Sequence, residues 1–119
     1  MPKTVLLDTN VLIRYITNDD PLKADDCEQL FKRAVQGEYT LLITDICLAE
    51  LVWTLDSFYR LERSAIAEKI IAILNTPGFS IQHEDRWIDA LDRYTRTNVD
   101  FIDAYHASFA FDYEIAICS

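Results

Sequence analysis

A chain of 119 residues, half of them hydrophobic, has the size and composition of one packed domain rather than a disordered segment. Its net charge of −9 argues against simple electrostatic attraction to nucleic acid, whose phosphates favour basic surfaces. Clustered carboxylates that bind divalent cations would reverse that sign locally, and a basic partner could supply the missing positive charge. No apolar run approaches the roughly 20 residues that a membrane span needs. Met1-Pro2-Lys3 running straight into strand-like residues lacks the form of a secretory signal. Cys27, Cys47 and Cys118 are odd in number and share no metal-ligand spacing. They read as reduced core residues of a cytoplasmic protein.

In chain order, residues 4–7 form a short apolar run without alternation, which suits a strand covered on both faces, as in a parallel sheet. Asp8 ends the run, and a helical pattern occupies 11–17. Ligands of parallel sheets sit beyond the carboxyl ends of the strands. Asp8 therefore stands where a catalytic or metal-binding group would be, although capping the next helix is the ordinary use of such an Asp. Asp19 or Asp20 can cap a second helix that Pro21 opens, with Cys27, Leu30, Phe31, Ala34 and Val35 on its inner face and Gly37 closing it. A second strand covers 39–44. A broadly apolar helix follows over 45–60, with Ile46, Ala49, Val52, Trp53 and Leu55 expected to be well buried. Glu50 lies within it, costly there unless paired, protonated or metal-bound; its alternative place is the polar flank, near Arg14 or another base.

Ser64 is the expected N-cap of a helix over 64–74, apolar at Ile66, Ile70, Ile71, Ile73 and Leu74. Asn75-Thr76-Pro77-Gly78 is a turn, 79–82 a third strand, and 85–97 a helix with Trp87, Ile88, Leu91 and Tyr94 inward. Asp100 can cap a last helix over 101–112, and 114–118 is a final strand. Strands alternating with helices in this way predict an α/β fold: a three-layer sandwich around a mainly parallel central sheet of four to five strands, in one domain spanning 1–119.

Three acids stand out by context: Asp8 after the first strand, Glu50 in the second helical unit and Asp103 in the last helix, with Asp100 one turn before it. If they converged, two unit charges about 4 Å apart would repel by roughly 4 kcal/mol at an effective dielectric of 20. A cation or raised pKa values would then be required. Hard oxygen donors without an organised His or Cys set select Mg²⁺ or Mn²⁺, which lead to metal-assisted phosphodiester hydrolysis. Spacing alone does not establish the convergence.

Leu6-Leu7-Asp8-Thr9-Asn10-Val11-Leu12, Leu48-Ala49-Glu50-Leu51-Val52-Trp53-Thr54-Leu55 and Asp100-Phe101-Ile102-Asp103-Ala104 together resemble the three leading motifs of the PIN-domain ribonucleases, and most of all the VapC-type toxins of bacterial toxin–antitoxin pairs. The resemblance spans nearly the whole chain. It implies a metal-dependent endoribonuclease in which Asp8, Glu50 and Asp103 hold Mg²⁺ or Mn²⁺. Thr9 and Asn10 would orient Asp8. Asp100 would bind the metal through water or only cap its helix. The resemblance further implies an RNA substrate, a homodimer and a VapB-like antitoxin that reaches the acids with an Arg or Lys. The family pattern carries a fourth acid after the last motif strand. Residues 115–119 look like that strand, and the chain stops there, so the C-terminal end of the domain is expected to be missing.

Two other readings follow from that departure and from the family's breadth: a catalytically silent binding module, and a PIN-type nuclease of RNA maturation or of DNA. Arg14, one turn beyond Asn10, could meet a substrate phosphate or pair with Glu50. Arg93, Tyr94 and Arg96 could touch RNA, though an ordinary helix surface is the commoner meaning of such a group. Trp53, Phe58 and Tyr59 look like core or dimer contacts. His83 is expected to be exposed, and His106 to lie on the surface or pack between helices.

Overall fold

The computed structural model describes residues 3–17, 21–114 and 116, with the side chains of all of these except 21–27. Its elements run β1 (Lys3–Leu6), α1 (Thr9–Thr17), α2 (Pro21–Val35), β2 (Tyr39–Ile43), α3 (Asp45–Ser57), α4 (Arg63–Leu74), β3 (Phe79–Ile81), α5 (Glu84–Arg96) and α6 (Phe101–Tyr113). The expected alternation is present. The strands form one parallel sheet in the order β1-β2-β3, with Val5 opposite Leu41 and Leu41 opposite Phe79. Among the described residues the sheet has three strands instead of four to five. The expected final strand lies outside the described residues except for Glu114 and Ala116, and Glu114 is the left-handed C-cap of α6. Cys118 and the capping acids Asp19 and Asp20 also lie outside them, as does the side chain of Cys27.

Parallel strands in sequential order bring Asp8, Thr44 and Gln82 to one edge of the sheet. Backbone bonds extend the pairing to that edge: Leu7 N–H donates to the Leu42 carbonyl and Gln82 N–H to that of Ile43, each at 3.0 Å. The core lies where the sheet meets its helices. Leu41 and Ile43 of β2 are fully buried, as are Leu48, Leu51 and Leu55 of α3 and Ile66 and Ile70 of α4. Trp87 and Leu91 bring α5 into the same core.

Helices α3, α4 and α5 bury narrower stripes than their apolar content predicts. In α3 the buried set is Cys47, Leu48, Leu51, Val52 and Leu55, one stripe of helical period. Ile46 and Trp53 fall off it and are 71% and 68% exposed. Ile71 of α4 and Ile88 of α5 miss their stripes in the same way and are exposed. The third helix stops at Ser57, and Arg60, three residues on, has a left-handed φ of 53°. Phe58 therefore lies beyond the helix, exposed, and Tyr59 is half-buried.

The N-cap of α4 is Glu62 rather than Ser64, with no side-chain capping bond. Arg63 starts the helix. Its guanidinium donates to the carbonyls of Tyr94 and Val99 and lies 4.5 Å from the centre of the Tyr94 ring. That anchorage draws the helix start one residue forward.

Gly78, at φ 86°, packs the turn before β3 against the end of α2. A Cβ placed on it would stand 2.5 Å from the Ala34 carbonyl oxygen. Only glycine combines that dihedral with that approach.

Candidate active site

Asp8 leaves β1 and stands directly before α1, exposed to solvent. Its Oδ2 accepts the Asn10 backbone N–H at 3.3 Å, and its carbonyl oxygen accepts the Val11 N–H at 3.1 Å. The capping geometry is thus present, and it also fixes the carboxylate at the sheet edge. Asn10 contributes through its main chain. Asp8 lines a small cleft of about 220 Å³ with Thr9, Thr44, Ile46 and Cys47.

Cys47 reports on what surrounds that cleft. It is a buried free thiol in the first turn of α3. Burial pushes its pKa up, and the charges of Glu50 and Asp8 push it up further, against a lowering hydrogen bond with Thr9. The carboxylates of Asp8 and Glu50, 42 positions apart in the chain, therefore act on one thiol. Thr9 meets that thiol. Glu50 lies three residues beyond Cys47, on the exposed flank of α3. The polar-flank placement is the observed one, so solvent removes the burial cost anticipated for this acid. Arg14, half-buried in α1, makes no ion pair with Glu50 among the described residues.

Asp100 and Asp103 belong to a neighbouring cleft of about 390 Å³, formed by α3, the start of α4 and the start of α6. Asp100 occupies the N-cap position of α6 with extended backbone but makes no side-chain capping bond. Its carbonyl oxygen accepts the Ala104 N–H at 3.0 Å. Asp103 lies in the first turn of α6, exposed. Ala49 and Trp53, which flank Glu50 on α3, line the same cleft. The four acids thus occupy two adjoining hollows that share α3: Asp8 on one, Asp100 and Asp103 on the other, and Glu50 on the helix between them. Among the described residues no three His, Cys, Asp or Glu side chains stand close enough together to hold one metal ion.

A second carboxylate at the sheet edge escaped the sequence reading. Asp45, just past β2, accepts the Trp87 Nε1–H at 2.7 Å and pairs with His83 Nδ1 at 2.5 Å. Its N–H donates to Gln82 Oε1 at 3.1 Å. Asp45 thereby ties α3 to the β3–α5 turn and to α5, and its charge also acts on Tyr105 of α6. His83 is exposed as expected. Its left-handed φ of 55° is held by this pairing. The only sequence signal was a Thr-Asp pair closing a strand, which reads as a plain helix start.

The two arginines of the basic-aromatic group on α5 are paired along the helix. Arg93 pairs with Asp89 at 2.9 Å and Arg96 with Asp92 at 2.6 Å, both one turn back on the same helix. Tyr94 is buried beneath Arg63. His106 is exposed.

An α/β fold with a parallel sheet and carboxylates at its carboxyl edge is the setting in which the matches to known proteins fall. The PIN domain family model covers residues 5–118, and the chain belongs to the PIN-domain family. Within that family, it is similar to a VapC ribonuclease of Aquifex aeolicus (strain VF5). The two are 30% identical over 98 residues, which is 82% of this chain and 72% of the relative.

Proposed function

We propose that the protein is a divalent-metal-dependent endoribonuclease, the toxin member of a VapBC-like toxin–antitoxin pair, with its chemistry at the Asp8 edge of the sheet. The observation that carries this reading is the Asp8 carboxylate standing exposed at the carboxyl end of β1 in a parallel sheet, in a chain of the PIN family that is similar to a VapC ribonuclease. Asp8 and Glu50 would hold the ion; Asp103, and Asp100 through water, would join them only if the two hollows closed on one another. The donor set fits Mg²⁺ or Mn²⁺, because every donor is a carboxylate oxygen. Mg²⁺ in particular keeps several waters and is commonly bound through only one or two carboxylates. Bound there, such an ion supplies positive charge for the phosphodiester and a water of lowered pKa.

The remaining work falls to the chain's own groups. The Asn10 N–H holds the Asp8 carboxylate in place. Thr9 lines the cleft beside Asp8 and Cys47. Arg14, with no carboxylate partner among the described residues, is assigned to a substrate phosphate. RNA is the substrate and a VapB-like antitoxin the partner. A homodimer would use exposed apolar side chains of α6 such as Phe111 and Tyr113. No helix among the described residues is long and apolar enough to cross a membrane.

The test is RNA cleavage with added Mn²⁺ by the wild type and by Asp8→Asn. The reading expects cleavage that depends on the ion and is lost in the variant; equal cleavage by both would remove it. The separation of the acids into two hollows favours one other reading, a catalytically silent module of the same fold. Calorimetric titration with Mn²⁺ separates the two, because a silent module binds no ion at millimolar concentration.

A further inference from the structure

The cleft beside Asp103 carries features that holding a metal does not require. Trp53 projects from α3 with 68% of its surface exposed, although indole is among the side chains that gain most from burial. Asp56 lies one helical turn further along the same face, exposed and with no hydrogen bond or ion pair to another described residue. Both line the 390 Å³ cleft, together with Ile102, 53% exposed, and the anchored Arg63. An aromatic face and a free carboxylate edge thus stand side by side next to Asp100 and Asp103.

We propose that this cleft is a nucleobase subsite and that its preferred occupant is guanine, stacked on Trp53 with its Watson–Crick edge on the Asp56 carboxylate. The proposal rests on the ribonuclease reading for its biological sense, since the base would belong to RNA whose phosphate lies at the adjoining acids. Three observations select a base over other occupants. Without an ion, three carboxylates, Asp56, Asp100 and Asp103, line the cleft against a single Arg63; a free phosphate would then be repelled, whereas a neutral base rich in N–H donors would be attracted. A second copy seated here would set the same carboxylates against each other across a two-fold axis. Stacking on exposed aromatic side chains is how proteins hold unpaired bases. Among the bases, guanine presents two adjacent donors, N1–H and the 2-amino group, which match the two oxygens of one carboxylate. Adenine and uracil present no such pair.

The chain carries its own probe. Trp87, the other tryptophan, is buried and stacked on Phe101 at 4.9 Å, so the emission open to acrylamide quenching is that of Trp53. Guanosine, inosine, adenosine and uridine are titrated into the metal-free protein. Guanosine should shield Trp53 at the lowest concentration, about fivefold or more below inosine, which lacks the 2-amino group. Asp56→Asn should abolish the difference between guanosine and inosine, and Trp53→Leu should abolish the signal without altering the circular dichroism. No shielding by guanosine, equal shielding by all four nucleosides, or shielding that follows protein concentration alone would each overturn the proposal. The assay uses neither metal nor cleavage. Guanosine binding by a protein that does not cut RNA would leave the subsite standing and sink the nuclease; the converse pair of results would do the reverse.

Discussion

Asp45 and Trp87, 42 positions apart, are joined by a 2.7 Å hydrogen bond from the indole N–H to the carboxylate. Trp87 is 1% exposed, so no solvent can replace that acceptor. Because Asp45 also takes His83, it fixes the start of α3 against α5 and the turn before it. Asp45→Ala leaves the buried indole N–H unpaired, at a cost of about 1–3 kcal/mol. The urea midpoint of Asp45→Ala should therefore fall well below that of the wild type. Asp45→Asn retains one carbonyl acceptor for Trp87 and should lose clearly less. Equal loss in the two variants would mean that the indole bond contributes nothing.

Gly78 gives a second stability prediction, of steric origin. Its φ of 86° suits glycine, and the Ala34 carbonyl fills the space where a Cβ would sit. Gly78→Ala must shift backbone on one side or the other, so the loss exceeds the roughly 1 kcal/mol expected of an ordinary glycine-to-alanine conflict. Gly37 has a similar φ of 88° with nothing within 4 Å of its missing Cβ. Gly37→Ala should therefore lower the thermal midpoint less than Gly78→Ala. The comparison isolates collision from dihedral strain.

The parts of this fold that were legible in the sequence are those that depend on neighbours in the chain. The apolar run before Asp8, Pro21 at the head of α2 and the Asn75–Gly78 turn are local signals, and each element formed where its signal lay. Burial was less legible. Ile46 and Trp53 are as apolar as Leu48 and Leu51, and only the direction from which the sheet approaches α3 decides which pair is covered. Asp45 was missed for a related reason, since its partners come from the β3–α5 turn and from α5. Asp8 and Glu50 were picked out by local context and family resemblance. Their common effect on Cys47 depends on β1 lying beside β2, which periodicity cannot express.

Two tyrosines give the protein an alkaline limit. Burial first, and then the charge of Asp45 for Tyr105 and of Asp56 for Tyr94, raise both phenols above their ordinary value; Arg86 and Arg63 oppose this only in part. In the unfolded chain a phenol loses its proton near pH 10, while in the folded chain it keeps it. The unfolded state then binds fewer protons, so stability falls as pH rises. This contribution is whole below about pH 10 and disappears as pH climbs through the folded value. The urea midpoint should decline over that window, and Tyr105→Phe should decline less steeply. A steeper decline in the variant would reverse the sign argued here.

The Cys47 thiol offers a direct check on the candidate site, because three of its neighbours are expected to act on it with different signs. Asp8 and Glu50 raise its pKa and Thr9 lowers it, with burial the largest influence. The pH dependence of alkylation by iodoacetamide reads the thiolate fraction. Asp8→Asn and Glu50→Gln should each move that profile to lower pH, and the double variant further than either. Thr9→Val should move it to higher pH. Asp103→Asn should leave it in place, because Asp103 is absent from the influences on this thiol and lies on the neighbouring cleft. A shift with Asp103→Asn as large as that with Asp8→Asn would draw Asp103 in to the Asp8 edge and merge the two hollows into one. No shift with either Asp8→Asn or Glu50→Gln would part these two acids and take away the geometric support for a shared ion.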